Sequence, residues 1–338
     1  MWSYATLFRS HATVAALLLF AFAGALTVRD VHSPRRDLLL GAAVGLATGW
    51  ATVTEYPAAP AAAILAVLAL IHVWPSGPTR IQRVAAGVTA GALICAVVLF
   101  SYQYLAFGSP FCLSYAYSTY NVPSPAPEMG NGLFGLTYPR FWILRELLVG
   151  RYRGLLLLAP VLTLAPIGFV QLWRRRPDLR PSIAAAAALA VYYLLLNASY
   201  KYWDGGYSTG PRHLSPLVPF LCLALGLLWT WSRPVHRAAL VVLALYGIVV
   251  ALMAVSTEPM PGTEVKSPLQ ELFWPAFRSG HLALREGTFN LGQLAGLHGL
   301  ASLLPLLLIW TIGLASWVWL KDKTRTAHDP LKILKIGC

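Results

Sequence analysis

Between Asn197 and Pro216 the chain gathers side chains that a plain connector does not need. They are Lys201, Asp204, Arg212 and His213, the aromatics Tyr202, Trp203 and Tyr207, and the glycines Gly205, Gly206 and Gly210. Glycines let a backbone approach a ligand closely. The aromatic faces suit stacking on a sugar ring or lying along an isoprenoid chain, and the planar fork of Arg212 suits a phosphate. Pro211 sets Arg212 at the mouth of the next helix, where the helix dipole also favours an anion. The plainer alternative is an interfacial aromatic belt with a snorkelling arginine.

For proton transfer the candidates are Asp204, His213 and Glu55. Glu55 sits in the tight turn Thr54-Glu-Tyr-Pro57, flanked by apolar runs. An ionisable group there is a functional candidate, although a carboxylate at a helix end can also simply face water. His281 and His298 lie too far from other ligands to make a metal site. Asn197-Ala-Ser199 matches the glycosylation sequon but abuts an apolar block that leaves no room for a glycan. Cys95, Cys112, Cys222 and Cys338 form no pairing pattern and read as small hydrophobes or incidental thiols.

The elements that must carry these residues are membrane helices. Of 338 residues, 57% are hydrophobic and 12% charged, whereas a soluble domain carries about a quarter charged residues. The apolar residues fall in blocks of roughly 17 to 23, long enough as helix to cross a hydrocarbon core of about 30 Å. Strand alternation is missing, which excludes a β-barrel. The spacing predicts nine spans, near 11–28, 38–54, 57–74, 84–106, 154–173, 182–199, 214–231, 236–255 and 299–320. The expected fold is therefore an all-α polytopic integral membrane protein, a single helical domain over 1–320 with a basic tail, 321–338. Its long outer connections are 107–153, 200–213 and 256–298. Within the first, Pro139 to Gly150 carries Phe141, Leu144, Leu147 and Leu148 at helical spacing with Arg140, Arg145 and Glu146 among them, which predicts a helix lying in the interface. The third carries Trp274, Phe277 and Phe289, which an aromatic belt alone explains.

Charge orients the chain. Short basic connections (Arg29, Arg35 and Arg36; Arg80 and Arg83; Arg174 to Arg176 and Arg180; Arg233 and Arg237; the lysine-rich tail) alternate with longer, more acidic ones carrying Glu55, Glu128, Glu146, Asp204, Glu258, Glu264, Glu271 and Glu286. With nine spans every basic connection falls on one side, which the positive-inside rule makes cytoplasmic. The net charge of +13 is thus a topology signal rather than a nucleic-acid site. The C-terminus is expected in the cytoplasm and Met1 outside. Because Met1 to Ser10 lacks a basic leader region, upstream spans are expected to be missing or supplied by a partner chain.

Five runs stand out together: Trp2 to Phe8 with His11, Leu46 to Pro57, Tyr104 to Pro110, Arg151-Tyr-Arg-Gly154, and Tyr202 to Leu214. In combination they resemble bacterial membrane glycosyltransferases of the GT-C superfamily, which includes protein mannosyltransferases and aminoarabinose transferases. The run Gly210-Pro-Arg-His-Leu-Ser-Pro216 is similar to the Arg-Tyr-x-x-Pro pattern opening a late helix in that superfamily, with His213 in place of the aromatic. The resemblance implies inverting transfer of a sugar from a polyprenyl-phosphate carrier to an acceptor on the outer face of a bacterial cell membrane. Arg212, with Lys201, would hold the phosphate; Asp204, His213 and Glu55 are the base or ligand candidates; Tyr202, Trp203 and Tyr207 would contact donor. Cofactors stay open, a divalent metal among them. The superfamily's acidic first outer loop has no counterpart in this sequence, so a lipid-linked-sugar transporter or flippase, a non-catalytic subunit and an oligosaccharide ligase remain as competing readings.

Overall fold

A computed structural model describes residues 10–112, 135–231, 233–285 and 287–327. The run Trp2 to Phe8, the prolines Pro123, Pro125 and Pro127, Glu128, Glu286 and the tail from residue 328, with Lys332, Lys335 and Cys338, lie outside the described residues. Among the described residues the regular elements are helices, with one antiparallel bridge between Leu136 and Tyr200. The long ones are α1 (Ser10–Asp30), α2 (Pro34–Thr54), α3 (Ala59–Val73), α4 (Pro78–Phe107), α5 (Phe141–Val149), α6 (Ala165–Arg175), α7 (Arg180–Ala198), α8 (Val218–Trp231), α9 (Pro234–Thr257) and α10 (Leu304–Ala327).

Eight helical stretches among the described residues are long and apolar enough to cross a membrane. The chain is an all-α polytopic membrane protein. The eight correspond to every expected span but 154–173. That block is a turn of helix, Leu155–Leu158, then a 3-10 turn, Pro160–Leu164, then α6. Pro160 donates no backbone hydrogen bond and forces the residue before it away from helix; Ala159 accordingly takes φ −140° and ψ 70°. The predicted interfacial helix is α5, but it docks through Ile143 and Leu147, both with no exposed surface, while Phe141 and Trp142 remain exposed.

The chain packs as two compact units, residues 1–252 with 259–268, and residues 253–258 with 269–338. In the first, α2 and α4 are in backbone contact. Gly41, Gly45 and Gly49 face Gly87, Gly91 and Cys95, and a Cβ on Gly45 would stand 2.0 Å from the Val88 carbonyl oxygen. Small residues every fourth position let membrane helices approach this closely without a hydrophobic driving force. A Cβ on Gly168 of α6 would likewise meet the Ala224 carbonyl of α8 at 2.4 Å.

One end of this unit is latched by Arg80. Its Nε donates to Asp37, one terminal nitrogen meets His32 and Ser76, and the other donates to the Val28 and Val31 carbonyls that finish α1. Arg29 reaches Asp178 Oδ2 at 3.2 Å. The connections 29–37, 76–83 and 176–180 therefore meet at one end, and Glu55 lies at the other, at the far end of α2.

In the second unit, the Ala283 and Leu284 amides donate to the Ser256 and Thr257 carbonyls. Asn290 and Gln293 form a reciprocal capping box on Leu291–Leu294. Along α10, Leu307, Leu308, Ile312 and Trp317 are exposed, as expected of a helix solvated by lipid.

Candidate functional site

Glu55 ends α2 in extended conformation, φ −147° and ψ 113°, and caps the 3-10 turn Tyr56–Ala58 that leads into α3. The turn is tied on two sides. The Tyr192 hydroxyl of α7 donates to the Pro57 carbonyl at 2.5 Å, and the Gln103 amide of α4 donates to the Tyr56 hydroxyl at 3.1 Å. The first turn of α1 then supplies two partners for the carboxylate. Ser10 Oγ donates to Glu55 Oε1 at 2.6 Å, and His11 Nδ1 contacts the same oxygen. His11 and Glu55 keep only 10% and 16% of their side-chain surface. The His11 ring meets His213 edge-on at 4.9 Å, and His213 meets Tyr200 at 5.5 Å. Two candidate bases, Glu55 and His213, are thus joined through His11.

Loop 200–213 is shaped from both sides. Segment 136–140 runs beside its start, with the Thr137 amide donating to Ser199 O at 2.8 Å and the Arg140 amide to Ala198 O at 3.0 Å. Arg153, with no exposed surface, donates to the Gly206 carbonyl at 2.6 Å, to the Ser208 carbonyl, and to the Tyr152 hydroxyl at 3.1 Å. Tyr152 in turn donates to Asp204 Oδ2 at 3.2 Å. Burial pushes the Tyr152 phenol above its ordinary value; the charge of Arg153 pulls the other way and Asp204 adds to the rise. The phenol therefore stays protonated and keeps donating to Asp204. Thr209 Oγ1 donates to Pro259 O at 2.7 Å, and Lys266 Nζ stands 4.9 Å over the Tyr152 ring. Gly205 has φ +72°, and a Cβ there would fall 3.0 Å from Arg212 Cγ. Glycine at this position lets Arg212 lie across the loop.

Glu55 and His213 share one cluster. Asp204 belongs to another, with Tyr152 and Arg153. Trp203 packs between Trp142 at 5.6 Å and Tyr152 at 6.1 Å. Tyr202 meets Tyr200 at 6.0 Å. Lys201 and Tyr207 stand exposed on the rim. Ser10 and Lys266 are site residues that the sequence did not single out, whereas His11 and the Arg151-Tyr-Arg-Gly run, with Tyr152 and Arg153, entered only through the resemblance and without an assigned role. Asn197 is buried, in keeping with its rejection as a glycan acceptor. Among the described residues no three His, Cys, Asp or Glu side chains converge as a metal site, and Cys95, Cys112 and Cys222 are free thiols.

Comparison of the chain with protein-family models, with curated proteins and with solved structures finds no match in any of the three.

Proposed function

We propose that the chain is a multi-pass glycosyltransferase of the bacterial cell membrane that takes a sugar from a polyprenyl-phosphate donor. In this reading the Glu55 end faces outward and the C-terminus lies in the cytoplasm. The observation that carries the proposal is the junction of Glu55, His11 and His213 at the end of the bundle opposite the basic turns, with Arg212, the chain neighbour of His213, lying against Gly205 of the loop. Glycosyl transfer from a lipid phosphate needs a base and a cation for the phosphate. The acceptor oxygen or nitrogen bonds to the anomeric carbon as the bond from that carbon to the phosphate oxygen breaks. The electron pair leaves with polyprenyl phosphate, whose charge Arg212 and Lys201 receive. The acceptor proton passes to the Glu55–His11–His213 group. Tyr202, Trp203 and Tyr207 offer faces for the sugar or the prenyl chain. The basic turns at the Arg80 end support the orientation, since cytoplasmic loops carry the excess of Lys and Arg.

Binding of undecaprenyl phosphate and of undecaprenol to the purified full chain in nanodiscs tests the phosphate site. The expected result is preference for the phosphate, weakened at least tenfold by Arg212→Ala, in line with about 1.5–3 kcal/mol for a charged hydrogen bond. Equal binding of both lipids, or an Arg212→Ala variant that binds like the wild type, contradicts the assignment.

A further inference from the structure

On the side of Glu55 turned toward α4, a cavity of about 360 Å³ is lined by Val53, Glu55, Tyr56, Val98, Leu99 and Tyr102. The packing of α2 on α4 explains why it is there. The close contact runs through small residues at four-residue intervals, Gly41, Gly45 and Gly49 on α2 and Gly87, Gly91 and Cys95 on α4. The next position in each series is Val53 and Leu99. Branched side chains there cannot nest against a backbone, so the two helices part just before the Glu55 turn. The gap has an apolar floor and a polar mouth. Val98 is 43% and Tyr102 58% exposed, so among the described residues the cavity opens on the outer face of a membrane-crossing helix.

The carboxylate is placed to serve both sides. Among the described residues, the contacts to its side chain from Ser10 and His11 go to Oε1, leaving Oε2 for a group in the cavity that Glu55 lines. A phosphate is unsuited to this cavity, because a like charge beside the carboxylate is repelled. A hydroxyl or an amine is suited, because a carboxylate accepts from either.

We propose that this cavity is the acceptor site. It takes an amphipathic alcohol or amine whose head donates to Glu55 and whose apolar part lies along Val53, Val98 and Leu99, entering sideways from the membrane. The proposal rests on the transferase reading and divides the site between two substrates. The donor phosphate is held by Arg212 on one side of the Glu55–His11–His213 line, and the acceptor arrives from the α2–α4 side. The acceptor proton then goes to the Glu55 carboxylate as the acceptor's oxygen or nitrogen bonds the anomeric carbon and the bond from that carbon to the donor phosphate oxygen breaks.

Photolabelling of the full chain in phosphatidylcholine nanodiscs tests it with two probes, a diazirine-bearing hexadecanol and its methyl ether. The ether has the same chain and no donor. Expected is labelling by the alcohol of the peptide holding Val98, Leu99 and Tyr102, at least fivefold above the ether. Val98→Trp and, separately, Leu99→Trp fill the gap and abolish that labelling in monodisperse protein, while Arg212→Ala leaves it intact. Equal labelling by alcohol and ether, persistence in both tryptophan variants, or loss in Arg212→Ala overturns the proposal. The readout needs no turnover, so a failure of donor binding and a failure of this site give different results.

Discussion

A guanidinium without exposed surface must find acceptors inside the protein, and Arg153 finds them in the loop it organises. Its terminal nitrogens hold the Gly206 and Ser208 carbonyls and the Tyr152 hydroxyl that in turn holds Asp204. Lysine has the charge but no planar fork to span these acceptors. Arg153→Lys is therefore expected to speed hydrogen exchange of the amides from Gly205 to Gly210 at least tenfold, with the transmembrane helices unchanged. Unaltered protection of that loop would mean Arg153 does not hold it. The same residues mark the limit of legibility. Arg212 and His213 stand out in the sequence because the run around them is so rich in polar groups and glycine. The partner that joins His213 to Glu55 is His11, which lies far away along the chain, and a lone histidine at the start of an apolar block carries no sign of what will face it. For Asp204 the residue type suggested a base or ligand, and its contact with Tyr152 could not be read from the sequence.

Among the elements, apolar blocks of membrane-crossing length made eight helices legible, because lipid demands both the length and the composition. The block at 154–173 has both and still breaks at Pro160, where the missing amide outweighs hydropathy. The buried face of α5 was harder to read, since Phe141 and Leu147 are equally apolar and only the position of α7 and its neighbours selects Ile143 and Leu147. The contact of α2 with α4 was written in the four-residue spacing of Gly41, Gly45 and Gly49, a pattern that hydropathy conceals. Its energetic weight is open to measurement. Gly45→Ala puts a methyl group 2.0 Å from the Val88 carbonyl oxygen, whereas a methyl on Gly226 of α8 meets nothing within 4 Å. Overpacking costs about 1–3 kcal/mol. Gly45→Ala is expected to lower unfolding stability by that amount in detergent, and Gly226→Ala to stay within about 0.5 kcal/mol of the wild type. Equal effects of the two substitutions would contradict the backbone contact.

At the scale of the molecule, the first unit has two chemically distinct ends. One is closed by the Arg80 and Arg29 ion pairs with Asp37 and Asp178; the other joins Glu55, His11 and His213 and lies beside the loop held by Arg153. Charge sorting along the sequence anticipated this division, since it depends only on which connections alternate. The chemistry at the second end depends on contacts between α1, the end of α2 and the 3-10 turn Arg212–Leu217 that leads into α8, which no local pattern encodes. The central claim, that this end transfers a sugar from a lipid phosphate, is tested most directly by turnover. Polyprenyl-phosphate hexose is incubated with the full chain in nanodiscs containing an alcohol acceptor, and released polyprenyl phosphate is measured. The expected result is release by the wild type and a fall of at least a hundredfold in Glu55→Gln, consistent with general-base contributions of about 10²–10⁴. Release no faster than from empty nanodiscs across the common hexose donors, or undiminished release in Glu55→Gln, would contradict the account.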